Sequence, residues 1–448
     1  MKRFRSNVAA CLLLAFSAFV TSCRKEPSPV PPTSLQSADP KMLTDWFEMS
    51  LLLSSRVNGY SDPVTARALS YMALTMYENV IPALPEYKSL QNRVGGFQTQ
   101  LSQGDPELEY NYGLVYNRAM LTLAQSLYGA AGSSNLDLLE KMYQNWVTKL
   151  SLGIDSNIVH RSILLGAKRG SEIYNFSTTD GQDAAFLQNY IKGYTLPQSP
   201  GMWVPTPPDY SPNPLLPYWG RTRTILTESI SSVSPSKILA YSPDPNSIMY
   251  TEAFEAYQKS TNLSQAELDL LDYYNGDMDP KASAICHTSW LLLQLCESAE
   301  LNFTQTLEAI CLLSWSNHDA IVAAYQQKYT YKLMRPSTYI RTFIQKFFIP
   351  PVSSQPTPEF VSDDAVVYYN ASEILSRTFG YRYEFMDYTQ AKRTNLRVKQ
   401  KYFSSFHELA KEASFIDLTG SVHFRTSIEE GAAMGYDIAQ NYLKLALK

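Results

Sequence analysis

Residues 328 to 336 read KYTYKLMRP, with Lys328 and Arg335 seven apart and a proline directly after the arginine. Seven residues span about two helical turns, roughly 10 Å along the axis, so both side chains are expected on one face of a single helix. Pro336 biases Arg335 away from helical geometry, which predicts that the helix ends there. Two long cationic arms at a helix end suit a bound oxyanion such as phosphate, arginine as a planar fork and lysine as a point charge. A solvated basic patch capped by proline is spelled the same way.

The elements that position these arms follow from composition and periodicity. At 448 residues the chain can bury a substantial core, as two or three average domains or one large helical one. A net charge of -4 and a pI near 5.8, without a basic run, exclude an electrostatic nucleic-acid surface. Apolar residues recur three and four apart over 66–81, 114–128, 134–150, 155–176, 301–331, 363–379 and 425–447. Ser134 and Asp155 are candidate N-caps, and Ser264 with Glu267 spells a capping box opening a helix over 264–275. Gly431 and Gly435 share a face of the last helix and allow a neighbour to approach closely. Between the helical blocks, GMWVPTPPDYSPNPLLPYWG (201–220) is too rich in proline for a long helix, and its tryptophans indicate a loop packed on the body. No β alternation stands out, so the expected fold is all-α, a helical bundle or two stacked bundles.

The N-terminus is a separate unit. MKRFR is a basic region, ACLLLAFSAFV is too short to span a bilayer as a mature helix, and VTSC resembles a bacterial lipobox ending at Cys23. The expectation is a signal peptide (1–22), then a lipidated Cys23 with a Pro/Ser-rich tether (23–40). An N-terminal helical region (41–200), the Pro/Trp-rich loop (201–245) and a C-terminal helical region (246–448) follow. The tether would hold the protein on the outer membrane of a bacterial cell envelope, on its periplasmic or its surface side. Cys286, Cys296 and Cys311 have no zinc-site spacing and are expected as small buried hydrophobes. His160, His287 and His407 are expected in packing or surface roles.

Lys, six residues, then Arg-Pro is the first motif of the vanadium-dependent haloperoxidase and type 2 phosphatidic acid phosphatase superfamily, and the chain resembles its bacterial haloperoxidase-like branch. RALSYMALTMYENVIPALPEY (67–87), MWVPTPPDYSPNPLLPYWGRTR (202–223), NHDAIVAAYQQKYTYKLMRPSTYI (317–340) and GSVHFRTSIEEGAAMGY (420–436) are each similar to a stretch of that branch, in order along the chain. The resemblance implies a helical bundle and a cage of cations around phosphate or vanadate, with vanadate as the cofactor of the haloperoxidases. It implies Lys328, Arg335 and Ser362 as oxyanion-binding residues and His423 as the nucleophile or vanadate ligand.

The chain departs from the pattern at four places. Asp363 stands for the second motif's glycine, Asp364 for its acid–base histidine, Asp417 for the third motif's arginine, and Ser427 for the aspartate after the histidine. Carboxylates in an oxyanion pocket oppose a phosphate dianion. The expectation is therefore a scaffold or binding protein of impaired catalysis, with no cofactor, in which Asp363, Asp364 or Asp417 neutralises Lys328 and Arg335. The alternative is an active phosphatase or haloperoxidase using His423. In that case Asp364 would replace the acid–base histidine, although the neighbouring cations are expected to depress its pKa. A divalent cation on Asp363, Asp364, Asp417 and His423 is a third option, opposed by Lys328 and Arg335. A homodimer fits a bundle of this kind; the partner or substrate is not named by the residues.

Overall fold

The computed structural model describes residues 34–195, 197–274 and 280–448. The expected signal peptide, Cys23 and most of the expected tether lie outside them. The described residues form fourteen α-helices. In the first half these are α1 Lys41–Ser54, α2 Asp62–Val80, α3 Tyr112–Leu127, α4 Ser133–Leu150, α5 Ser156–Ser177, α6 Glu228–Ser231 and α7 Ile248–Thr261. The second half has α8 Gln265–Tyr274, α9 Ala284–Ser298, α10 Phe303–Tyr331, α11 Pro336–Phe343, α12 Asp363–Phe379, α13 Phe406–Thr419 and α14 Arg425–Leu443. The expected stretches did not include helices α1, α7, α9 and α11, nor a two-stranded antiparallel ribbon, β1 Phe385–Asp387 and β2 Lys401–Phe403. Each strand is three residues long, too short for an alternation to show, and the ribbon is marked by the cross-strand pair Phe385–Phe403.

Helix α10 is the axis of the molecule. It packs against α2 on one side and α12 on the other, while α3 and α5 extend the first layer and α13 and α14 the second. Its burial is near continuous from Phe303 to Lys328, so it carries apolar side chains all round instead of on one stripe. A capping box starts it: Gln305 N donates to Asn302 Oδ1 at 3.0 Å, and Asn302 N to Gln305 Oε1 at 3.1 Å. The Ser264–Glu267 box also forms. Asp155 caps α5 by accepting from Asn157 N at 2.8 Å, whereas Ser134 lies inside α4 behind an N-cap at Gly132. Gly132 has φ +81°, a backbone open to glycine and strained for serine.

The Pro/Trp loop is packed on this axis, with Trp203 and Trp219 buried. Asp319 of α10, fully buried, accepts from Ile225 N at 2.8 Å, Leu226 N at 2.9 Å and Tyr442 Oη at 2.7 Å, tying the loop to α10 and α14. Burial lifts its carboxyl to about 7 against those bonds. Cys286, Cys296 and Cys311 are buried and form no disulfide with one another.

Helices α12 and α14 meet with almost no space between their backbones. A Cβ added to Gly435 would lie 2.2 Å from the Val366 carbonyl oxygen, and one on Gly431 would lie 2.7 Å from that of Ser362. Gly435→Ala is therefore expected to destabilise the fold by about 1–3 kcal/mol, the usual cost of overpacking. Urea unfolding checks it, as a lower midpoint with an unchanged slope.

Candidate active site

Lys328 and Arg335 do not share one helix face. Helix α10 ends at Tyr331, Lys332 takes the left-handed conformation (φ +53°), and α11 begins at Pro336. Arg335 is the extended N-cap residue of α11, with φ -72° and ψ 153°. Pro336 fits the first turn of a new helix as well as it ends an old one. The corner between the helices is held from outside. Trp203 N donates to Lys332 O at 2.8 Å, Met334 N to Gly201 O at 2.9 Å, and Glu359 N to Leu333 O at 2.9 Å. Both cations are buried, Lys328 at 0 % and Arg335 at 1 % exposure, and so do not form a surface patch.

Their donors are spent. The Lys328 ammonium has three N–H groups, and Asp363 Oδ1 (3.0 Å), Pro358 O (3.2 Å) and Glu359 O (3.3 Å) stand around it. The Arg335 guanidinium has five. Nε donates to Thr357 O at 3.0 Å. Nη1 reaches Val422 O at 3.1 Å and His423 Nε2 at 3.0 Å, and Nη2 reaches Thr357 Oγ1 at 2.7 Å and Gln355 O at 3.4 Å. Of the three aspartates, Asp363 is the one paired with Lys328; Arg335 is satisfied by carbonyls, a hydroxyl and the imidazole.

His423 lies at the centre. Its Nε2 accepts from Arg335 and is 3.7 Å from Asp363 Oδ1; its Nδ1 is 3.1 Å from Glu359 Oε1. With Nε2 accepting, the proton sits on Nδ1 and is donated to Glu359. Glu359 also takes Phe424 N at 2.8 Å and Ser427 Oγ at 2.6 Å. Glu359 is the residue that the sequence reading missed: it orients the histidine, and Ser427 orients Glu359. Its place between Pro358 and Phe360 was the available signal, and the structure buries it fully, so that it needs the partners it has.

Ser362 caps α12, its Oγ accepting from Ala365 N at 3.1 Å and donating to Asp417 Oδ2 at 3.2 Å. That cap places Asp363 and Asp364 in the first turn. They line one cleft of about 90 Å³ with Asp62, Tyr274, Ser283, Gln355, Asp417 and His423. Asp363 is driven upward by burial, yet Lys328, His423 and Arg335 outweigh this and hold it well below the carboxylate range. Burial lowers Lys328 in turn. Asp364 does not behave as expected. Burial, then the charges of Asp417 and Asp363, push it well above its usual value, because the cations are already engaged by Asp363 and the backbone. Asp417 is raised as well, first by burial.

The remaining histidines, and Arg425 next to the His423 segment, lie elsewhere. His318 donates from Nε2 to Arg223 O at 3.1 Å, and burial lowers it to about 4. Arg425 forks onto Glu255 at the surface. His287 is buried, 2.9 Å from Tyr368 Oη and 2.7 Å from Asp387 Oδ2, while His160 and His407 are exposed.

Residues 343–448 match the family described as the VCPO second helical-bundle domain. No curated protein matches the chain significantly. Among solved structures, a bacterial vanadium-dependent iodoperoxidase superposes with a TM-score of 0.80 at 24 % identity, over 91 % of this chain and 97 % of its own. A bacterial vanadium-dependent chloroperoxidase in its holo form gives 0.58 at 13 % identity, over 93 % and 96 %. The apo form of such an enzyme gives 0.56 at 13 %, over 87 % and 96 %. The chain thus shares the helical fold of these vanadium haloperoxidase structures over nearly its whole length, and its C-terminal residues match a domain family of that kind.

Proposed function

We propose that this chain is a cell-envelope lipoprotein, anchored through Cys23, that keeps the haloperoxidase scaffold for binding or assembly and has given up oxyanion chemistry. One placement supports the reading above all. Asp363 Oδ1, 3.0 Å from Lys328 and 3.7 Å from His423 Nε2, puts a fixed negative charge between the two groups that would meet an oxyanion. Phosphate or vanadate in that place would face the carboxylate at close range, with every Lys328 and Arg335 proton already directed at a protein acceptor. The residues present therefore do not fit vanadate. Calorimetry of purified protein with orthovanadate, and phosphate as competitor, is expected to show no binding up to about 1 mM, that is, less than about 4 kcal/mol of affinity. Micromolar binding abolished by His423→Ala would overturn the reading.

A second reading, phosphoester hydrolysis through an altered site, draws on two observations. Glu359 orients His423 as a nucleophile requires, and burial with the charges of Asp417 and Asp363 raises Asp364, the direction a general acid needs. It requires turnover of p-nitrophenyl phosphate that disappears in both His423→Ala and Asp364→Asn.

A further inference from the structure

The point at which the described residues begin is fixed on the body. Leu35 is buried, and its N–H donates to Ala83 O at 3.4 Å. The stretch after Ala83 meets the last residues there, as Lys88 N donates to Leu447 O at 2.9 Å. Four exposed cations collect at this end: Lys88, Arg93, Lys444 and Lys448. Arg93 is held by the carbonyls of Lys88, Ser89 and Ala446, and Lys88 Nζ donates to Lys448 O at 3.0 Å. Carbonyl partners leave a cation's charge in place. Among the described ion pairs, Lys448 is the one of the four that meets a carboxylate, Glu308 of α10 at 3.0 Å. Glu86 stands beside them in the chain; Glu78 lies buried near Arg93, and burial raises its pKa, which weakens its claim on that charge. Next to Lys448 is a hollow of about 450 Å³ with Leu301, Leu312, Leu443 and Leu445 on its walls and Arg377 as a further cation. In a chain of net charge -4, cations without carboxylate partners beside apolar surface are a local exception, and that pairing suits an anionic lipid.

We propose that this end of the body is a docking face for an anionic lipid bilayer, and that the protein stands on its membrane with the His423 cleft turned away from it. The inference rests on the reading that Cys23 carries the anchor. Eleven residues separate Cys23 from Ser34, a reach of at most about 40 Å, so the anchor brings the bilayer to the end where Ser34 leaves the body. Reach alone leaves the body free to tumble; charge sets its orientation. Arg24 and Lys25 follow the anchor directly, and the four cations of the face continue the same sign onto the folded part. Headgroup attraction falls off within a Debye length, about 8–10 Å, so a cation counts only on the face that touches the bilayer. Helix α10 gives the consequence for the cleft. Glu308, at the face, and Lys328, beside His423, lie on that one helix, roughly 30 Å apart along its axis.

The test is co-sedimentation of the unlipidated protein, residues 24–448, which contains every described residue, with vesicles of phosphatidylcholine and phosphatidylglycerol. Vesicles of phosphatidylcholine alone are the control. Binding to the anionic vesicles is expected to exceed the control about tenfold or more at low salt and to vanish near 0.5 M salt. Lys88→Glu with Lys444→Glu should remove it. Lys192→Glu with Lys346→Glu makes the same change in net charge on exposed residues at the other end, Lys192 close in sequence to Tyr194, which packs on Tyr329, and should leave binding within about twofold. All four positions are exposed, and circular dichroism confirms that the variants are folded. The inference is overturned if vesicles of both kinds bind alike, if the two double variants lose binding equally, or if binding survives Lys88→Glu with Lys444→Glu. It is overturned too if the face proves to hold a second copy, seen as a dimer in solution that this variant dissolves. Incorporation of labelled palmitate into the full chain in a bacterial host, compared with Cys23→Ala, separates the two failures. Absence of label brings down the anchor reading and this inference together; label without vesicle binding brings down this inference alone.

Discussion

Lys328→Met is expected to cost about 3–5 kcal/mol of folding stability, the range for removing one partner of a buried pair. Methionine fills most of the lysine's volume, so the loss is electrostatic. Asp363 would keep its place at the start of α12 with its nearest cation gone, and the carbonyls of Pro358 and Glu359 would lose a donor. The pH dependence follows from the sign of the Asp363 shift. Its folded pKa is depressed, so the pair's contribution is present above the unfolded value of about 3.9 and is lost as the pH falls toward the folded one. In the variant that shift reverses, because burial then dominates. The deficit should be full at pH 7 and shrink below about pH 4. Urea unfolding at both values measures it, and a loss under about 1 kcal/mol at pH 7 would place the pair among ion pairs of surface strength. Lys328→Met with Asp363→Leu should recover most of the loss, since an apolar pair of similar volume often replaces a buried ion pair without penalty.

Asp363→Gly should have the opposite character, a gain of binding. It removes the carboxylate next to His423 Nε2 and frees one proton of Lys328. It also installs glycine, the residue that the resemblance implies at this point. The expected result is orthovanadate binding that moves from undetectable to roughly 10–100 μM, about 5–7 kcal/mol of affinity. The folding cost without vanadate should be about 3–5 kcal/mol, because the buried Lys328 loses its counter-charge, and bound vanadate should restore part of it. A folded variant that still ignores vanadate would shift the blame to Asp417, which stands where the third-motif arginine is expected. The double variant Asp363→Gly, Asp417→Arg would then be the one to bind.

Much of this was written in the residues, and the part that was not has physical causes. The long helices were legible because their apolar spacing runs over many turns: α12 opens at Asp363 and α10 closes at Tyr331 as the periodicity indicates. The corner at Lys332 was not. Nothing in KYTYKLMRP distinguishes a helix that ends before proline from a second helix that begins with it. The left-handed turn between them is held by residues 201–203, which are more than a hundred positions away. The ingredients of the site were legible as types, but their pairing was decided by geometry. Ser362 caps α12, and that cap gives Asp363 to Lys328 while turning Asp364 to the cleft. Two adjacent aspartates thus have opposite electrostatic fates, one shifted down by the cations and one shifted up by burial and its acidic neighbours, which their order in the sequence could not reveal.

The backbone bonds from Trp203 and Met334 across the corner have a consequence for assembly. The matched C-terminal domain, residues 343–448, contains Glu359, Asp363, Asp364, Asp417 and His423 but neither Lys328 nor Arg335. The clamp on those two comes from further upstream still. The site is therefore a joint between distant stretches of one chain, closed only when a contact of high sequence separation forms, the slow kind of event in folding. A fragment carrying the C-terminal bundle would leave Asp363 without its counter-charge. Chain synthesis, running from the N-terminus, delivers the clamp and the cations before the acids that they must receive.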